Sequence, residues 1–348
     1  VPPLDAPWLP PLALATFFFV QWWAAWYPGS EPGGGGYVAQ RIFSAKTERD
    51  GMLATLWFNV AHYSIRSWPW ILTALAASVL YGPMDDPETG YVRVMIDHLP
   101  VSLRGLMMAG FLAAYMSTVA THLNWGASYF VGDIYKRFFR KNESDAHYVG
   151  ISRLATLATM LLAGTLTLFL DSVAGAWRLM LAFGSGTGLV LILRWYWWRI
   201  NAWSEISAMA ASFVTSLVLL YGVGLRPDEP LEFAYLMLGT LGVTTIVWIT
   251  ATFLTRPEPD ATLIAFYERV RPTGPGWRAI AERSSATPAG APLPVRFRDW
   301  ILGCVLVYAS LFGVGKWILG ERPLGAGLIV VAIASALMLG RDLRKSGT

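Results

Sequence analysis

Long apolar runs, parted by short clusters of charge, leave this chain few folds to choose from. They fall at about 11–28, 52–81, 104–132, 149–170, 175–196, 205–223, 233–254, 300–318 and 324–340. About 20 apolar residues in a helix cross the roughly 30 Å of bilayer hydrocarbon. Lipid offers no partner to the N–H and C=O groups of an open strand edge, so runs of this length are helices. The strict alternation of barrel strands is absent. Only 14% of residues are charged, against roughly 25% in an ordinary soluble domain. The expectation is an all-α, polytopic membrane protein with about nine transmembrane helices and the lipid bilayer as its solvent.

Orientation follows from the basic residues, because Lys and Arg collect on the cytoplasmic side. Twenty of the 27 basic residues fall on one set of alternate loops, among them Arg41, Lys46 and Arg49; Lys136, Arg137, Arg140 and Lys141; Arg194 and Arg199; and the seven in 255–299. Six fall opposite, and Arg66 lies within a run. The first set is expected in the cytoplasmic space of a multi-pass protein of the cell membrane. The acidic segment 82–100, with Asp85, Asp86, Glu88 and Asp97, is expected outside. The net charge of +4 then requires no nucleic-acid partner. Segment 255–299, rich in Pro, reads as a flexible cytoplasmic linker. Arg194-Trp-Tyr-Trp-Trp-Arg199 has the composition of an interfacial aromatic belt. Single Cys304 excludes a disulfide framework and a cysteine metal site. The chain opens on Val1 without a basic stretch before an apolar one, which reads as the cut or processed end of a longer protein.

The third run carries the densest chemistry. Ala114, Ser117 and Thr118 stand at i, i+3 and i+4 and share one helix face. Two adjacent hydroxyls there offer hard oxygen ligands to a small cation, joined by the Ala114 carbonyl if its helical bond is weakened. The same spacing also fits close helix packing, since Gly110, Ala114, Thr118, His122 and Gly126 recur every fourth residue. Spacing alone leaves both readings open.

Ala114-x-x-Ser117-Thr118, the following Leu123-Asn124, and Asp133-Ile-Tyr-Lys136 resemble the eighth core helix of the sodium:solute symporter family. Tyr37-x-x-Gln40-Arg41-x-x-Ser44-Ala45-Lys46 resembles the loop after that family's sixth core helix. The resemblance extends from residue 11 to about 200. It implies the inverted-repeat, ten-core-helix bundle of the leucine-transporter type, with sites near the midplane at broken helices. On that footing 1–200 is the second half of the transporter core, core helices six to ten. Residues 201–348 add C-terminal transmembrane helices and a cytoplasmic loop at about 255–299. Ala114, Ser117 and Thr118 are then half of a site for Na+, the coupling ion. The rest is expected from the first core helix in the missing N-terminal half of the protein.

Three other features bear on a solute path. The first run holds Gln21, Trp22, Trp23, Trp26 and Tyr27 before Pro28-Gly29 and Gly33–Gly36. Aromatics beside a helix break make a platform for a small organic solute, or simply the membrane belt. The second run holds Asn59, His62 and Arg66 on one face, with Arg66 roughly 22 Å from the cytoplasmic end at 1.5 Å per residue. Polar groups at that depth face water, ligand or each other, unless Arg66 reaches the outer interface beside Trp68 and Trp70. Gln21, Trp22, Trp26, Asn59 and His62 are the expected path. Gly184-Ser-Gly-Thr-Gly188 lies mid-helix, where glycines allow a kink or the close approach of a neighbour.

An enzyme is not expected: His122, at i+5 from Ser117 and i+4 from Thr118, is the one candidate base beside a hydroxyl. The four histidines are scattered, and neither His-Glu-x-x-His nor Gly-x-Ser-x-Gly occurs. Sodium-coupled symport of a small organic solute remains, with a symporter-like membrane sensor or scaffold as the competing reading.

Overall fold

The computed structural model describes residues 9–25, 39, 42–170, 172–286 and 292–346. It is helical, with no strand among the described residues and one isolated bridge, between Ala25 and Ser185. The helices are α1 (Pro11–Ala24), α2 (Glu48–Val60), α3 (Ser67–Tyr81), α4 (Gly90–His98), α5 (Val101–Phe139) and α6 (Asp145–Thr167). After them come α7 (Val173–Gly184), α8 (Thr187–Leu193), α9 (Ala202–Gly222), α10 (Pro230–Leu254), α11 (Asp260–Val270), α12 (Leu293–Ile318) and α13 (Arg322–Ser346). Local chemistry sets several starts. Thr47 accepts from the Asp50 N–H at 3.1 Å ahead of α2, and Ser144 caps α6. Asn201 and Ser204 form a reciprocal capping box ahead of α9. Proline opens α10 and α12, where its missing N–H costs nothing.

Six of these helices are long and apolar enough to cross a membrane: α5, α6, α9, α10, α12 and the Arg322–Asp342 part of α13. The other three expected runs are interrupted. The first stops at Ala24, where Ala25 turns extended. The second passes from α2 through a π turn at Ala61–Ile65 before α3, and the Arg66 N–H reaches the Ala61 carbonyl at 2.9 Å. The fifth breaks between α7 and α8 at Gly186, whose φ of +94° is left-handed.

The chain divides into two units, 1–67 with 174–348, and 68–173. Within the second, α5 packs along α6, and Gly90 seats against Met84 and Ala77. Within the first, α9 packs on α10 and α12 on α13. One cluster joins Leu181, Ala182, Leu236 and Met237, all buried. Another joins Leu306, Ala309, Ala332 and Leu339, with Leu56 and Val60 of α2 against it. The outward faces are broadly apolar, as lipid requires.

The segment expected to be a flexible linker is folded in part. It forms α11 and a short helix at Arg278–Ala281, and Leu263, Tyr267, Trp277 and Ile280 bury together against Trp198. Its apolar residues recur at helical spacing, and that pattern outweighs its proline content. The Trp-rich stretch 194–199 is accordingly more than a belt: the Trp277 indole N–H donates to the Trp195 carbonyl at 3.0 Å, and the Trp198 N–H to the Gly276 carbonyl at 3.2 Å.

Candidate functional site

The α5 helix begins after Pro100 and runs without interruption past Asn124. Ala114, Ser117 and Thr118 share one face of it and are exposed. Thr121 Oγ1 donates to the Ser117 carbonyl at 2.7 Å, while neither the Ser117 nor the Thr118 hydroxyl has a hydrogen-bond partner among the described residues. Two free hydroxyls side by side suit a hard cation such as sodium. Such an ion takes about six oxygens by analogy with other hard cations, so three oxygens from this face would fill only part of a shell. Gly110 and Gly126, on the same stripe, have open space where a Cβ would stand.

Toward the C-terminal end of α5, Asn124 borders a cavity of about 360 Å³ with Ser152, Arg153 and Thr156 of α6. Beyond it the helix turns π-helical over Phe130–Phe139. There Tyr135 hydroxyl and His147 Nε2 lie 3.1 Å apart, and the Lys136 ammonium sits 4.9 Å from the Tyr148 ring centre. Tyr148 hydroxyl donates to the Arg140 carbonyl at 2.7 Å. The Asp133–Lys136 motif thus belongs to the joint that holds α5 to α6.

In the other unit Gln21 closes a π segment of α1, Phe17–Gln21. Its Oε1 is buried and has no hydrogen-bond partner among the described residues. It borders a cavity of about 250 Å³ with Phe17, Trp177, Arg178, Asp228 and Phe233; Arg178 and Asp228 pair at 3.3 Å. An unpaired amide oxygen in an apolar wall, beside an ion pair, is a place where a polar solute can gain a hydrogen bond.

The other described residues of the expected path lie elsewhere in that unit. Trp22 stacks on Trp300 of α12, ring centres 5.4 Å apart. Asn59 donates its amide to the Thr55 carbonyl at 2.9 Å. His62 stacks on Phe58 at 4.9 Å, and its buried Nδ1 has no partner among the described residues. The π turn carrying His62 is fastened to α12, because fully buried Ser64 donates to the Val307 carbonyl at 2.9 Å. Trp26 lies outside the described residues, as do Tyr37, Gln40 and Arg41. Asn59 and His62 do not line the Gln21 cavity; Trp177, Arg178 and Asp228, which sequence reasoning passed over, do. The signal available for them was one basic and one acidic residue at the ends of apolar runs.

A further junction organises this unit. The end of α1 enters the break between α7 and α8, where the Gly186 N–H donates to the Ala24 carbonyl at 2.9 Å. A Cβ on Gly188 would stand 1.9 Å from the Trp23 carbonyl oxygen, so only glycine admits α1 here. Ser212 donates to the Phe183 carbonyl at 2.8 Å and also reaches that of Ser185, and Ser216 donates to the Ala182 carbonyl at 2.7 Å. The carbonyls freed by the broken helix are thereby satisfied from α9. The expectation of a kink with a close-packed neighbour at Gly184–Gly188 is met.

Discontinuous helices, carbonyls satisfied by neighbouring hydroxyls and polar groups set inside apolar helices mark a polytopic α-helical membrane protein of the transporter class. The profile of the sodium:solute symporter family matches residues 20–213. The chain belongs to that family, whose members are transporters and not enzymes. It is 31% identical over 169 residues to an osmoregulated proline transporter of Bacillus subtilis, an overlap of 43% of this chain and 33% of the relative. To a high-affinity proline transporter of the same organism it is 27% identical over 205 residues, 56% of this chain and 41% of the relative. A sodium/glucose cotransporter of Vibrio parahaemolyticus is 23% identical over 233 residues, 61% and 41% of the two chains. The chain therefore spans about a third to two fifths of the length of these relatives. No solved structure matches it.

Proposed function

We propose that this chain is the part of a sodium-coupled symporter that carries one wall of the sodium site and one wall of the solute path, in the cytoplasmic membrane. The single observation behind this is the family match over 20–213, which contains both the free hydroxyl pair on α5 and the unpaired Gln21 amide oxygen. In this reading Ser117 and Thr118 coordinate sodium through their hydroxyls and Ala114 through its carbonyl. Helices beyond the third to two fifths that this chain spans supply the rest of the shell. Gln21, Trp22, Trp26, Asn59 and His62 line the path of a small organic solute. The fold is the inverted-repeat bundle, with 1–200 as the second half of the core and about nine membrane crossings in all. Breaks at Gly186 and after Ala24 suit that fold, because half-helix ends are where such transporters place their ligands. The names of relatives point to proline or a sugar as the solute class.

The test is uptake by the full-length protein as a function of sodium. Thr118→Ala raises the sodium concentration for half-maximal uptake by about tenfold, the worth of roughly 1.4 kcal/mol, and Ser117→Ala shifts it in the same direction. Unchanged sodium dependence in both variants overturns the ion assignment. A wild-type protein that binds a solute but never accumulates it favours the sensor reading instead.

A further inference from the structure

A third cavity, of about 470 Å³, lies far along the chain from Ser117 and Thr118, between the turn after α8, the start of α9 and α11. Its walls include Trp195, Trp198, Phe266 and Trp277, and its polar groups include Arg194, Glu205 and Glu258. The family profile ends at 213, so the lining from Glu258 to Trp277 lies outside the residues that profile covers.

Charge and shape select the ligand. Arg194 pairs with Glu205 at 3.2 Å, and these two charges cancel. Glu258 is half-buried and has no ion-pair or hydrogen-bond partner among the described residues. The start of α9 would attract an anion, but its capping box is closed within itself: the Ser204 N–H donates to Asn201 Oδ1 at 3.1 Å. A negative charge brought here would meet Glu258, whereas a positive one would meet that carboxylate and the electron-rich ring faces. The volume falls in the ordinary range for a small organic ligand, about 300–1,000 Å³, and no metal-holding group of three His, Cys, Asp or Glu occurs among the described residues.

We infer that this cavity binds a monovalent organic cation with an apolar body, a quaternary or alkyl ammonium, held by Glu258 against the Trp195, Trp198, Phe266 and Trp277 rings. The same chemistry occurs in free solutes and in choline-type lipid headgroups, and the experiment separates them. Full-length protein in nanodiscs of phosphatidylglycerol alone is titrated calorimetrically with benzyltrimethylammonium. The expected result is one saturable site, weakened at least fivefold by Glu258→Gln and by Phe266→Leu and unaffected by Glu321→Gln. Discs of phosphatidylcholine that abolish binding of the probe assign the site to a lipid headgroup; undiminished binding assigns it to a free cation. No saturable binding in phosphatidylglycerol, binding indifferent to Glu258→Gln, or equal affinity for neutral benzyl alcohol overturns the inference.

Discussion

Residues buried without a partner carry the sharpest functional expectation. The Gln21 oxygen borders a cavity and forgoes a hydrogen bond, a cost of about 1–3 kcal/mol for such a group. A transported solute that satisfies it should slow thiol labelling of Gln21→Cys in the full-length protein, and slow it more than at Leu75→Cys. Equal rates with and without solute would reduce Gln21 to a structural residue. Charge outside the membrane makes a second case. The Asp260 carboxyl accepts a hydrogen bond from Arg283, which holds its pKa below the ordinary carboxylate value. Its folded pKa is the lower one, so the contribution is complete above the unfolded value and fades as pH falls through the folded one. Hydrogen-exchange protection of residues 260–283, corrected for intrinsic rates, should decline on that acid limb in the wild type and stay flat in Asp260→Asn. At this scale the sequence was partly readable. Gln21 stood out as a polar group in an apolar run, but Arg178 and Asp228 looked like ordinary loop charges, because only folding brings them within 3.3 Å of each other.

Helices were legible wherever the apolar run was unbroken, since in lipid the backbone must satisfy itself. The interruptions were less so. Gly184–Gly188 announced a kink through its glycines, whereas the π turn at Ala61–Ile65 left no mark: its residues read as ordinary helix, and the extra residue shows only in the Arg66 to Ala61 bond. The 255–299 segment misled through its prolines: Pro257, Pro259 and Pro272 flank α11 and none lies within it. The Gly188 junction can be probed directly. In Gly188→Ala the new Cβ would stand 1.9 Å from the Trp23 oxygen, which is backbone on both sides and has little room to yield. The expected loss is about 3 kcal/mol or more, the upper end of overpacking, read as a lowered thermal midpoint of the full-length protein. Gly303→Ala on α12, where the added carbon meets nothing within 4 Å, should leave the midpoint unchanged.

Across the whole molecule, the orientation rests on the distribution of basic residues, with long loops the weakest witnesses. With Cys304 replaced by Ser, an impermeant thiol reagent applied from outside should label Glu88→Cys strongly and spare Lys141→Cys. The opposite pattern inverts the arrangement. Neither of the two units is identifiable from sequence, because the boundary near residue 67 falls at the start of α3 and the one near 174 at the start of α7, where no linker composition appears. The junction of α1 with the α7–α8 break has a bearing on descent as well. A position whose every alternative collides with main-chain atoms has no neutral neighbours in sequence space, so Gly188 should be frozen across lineages that carry different solutes. Gly303, with open space where its side chain would be, is free to drift, and substitution there records elapsed time and not selection.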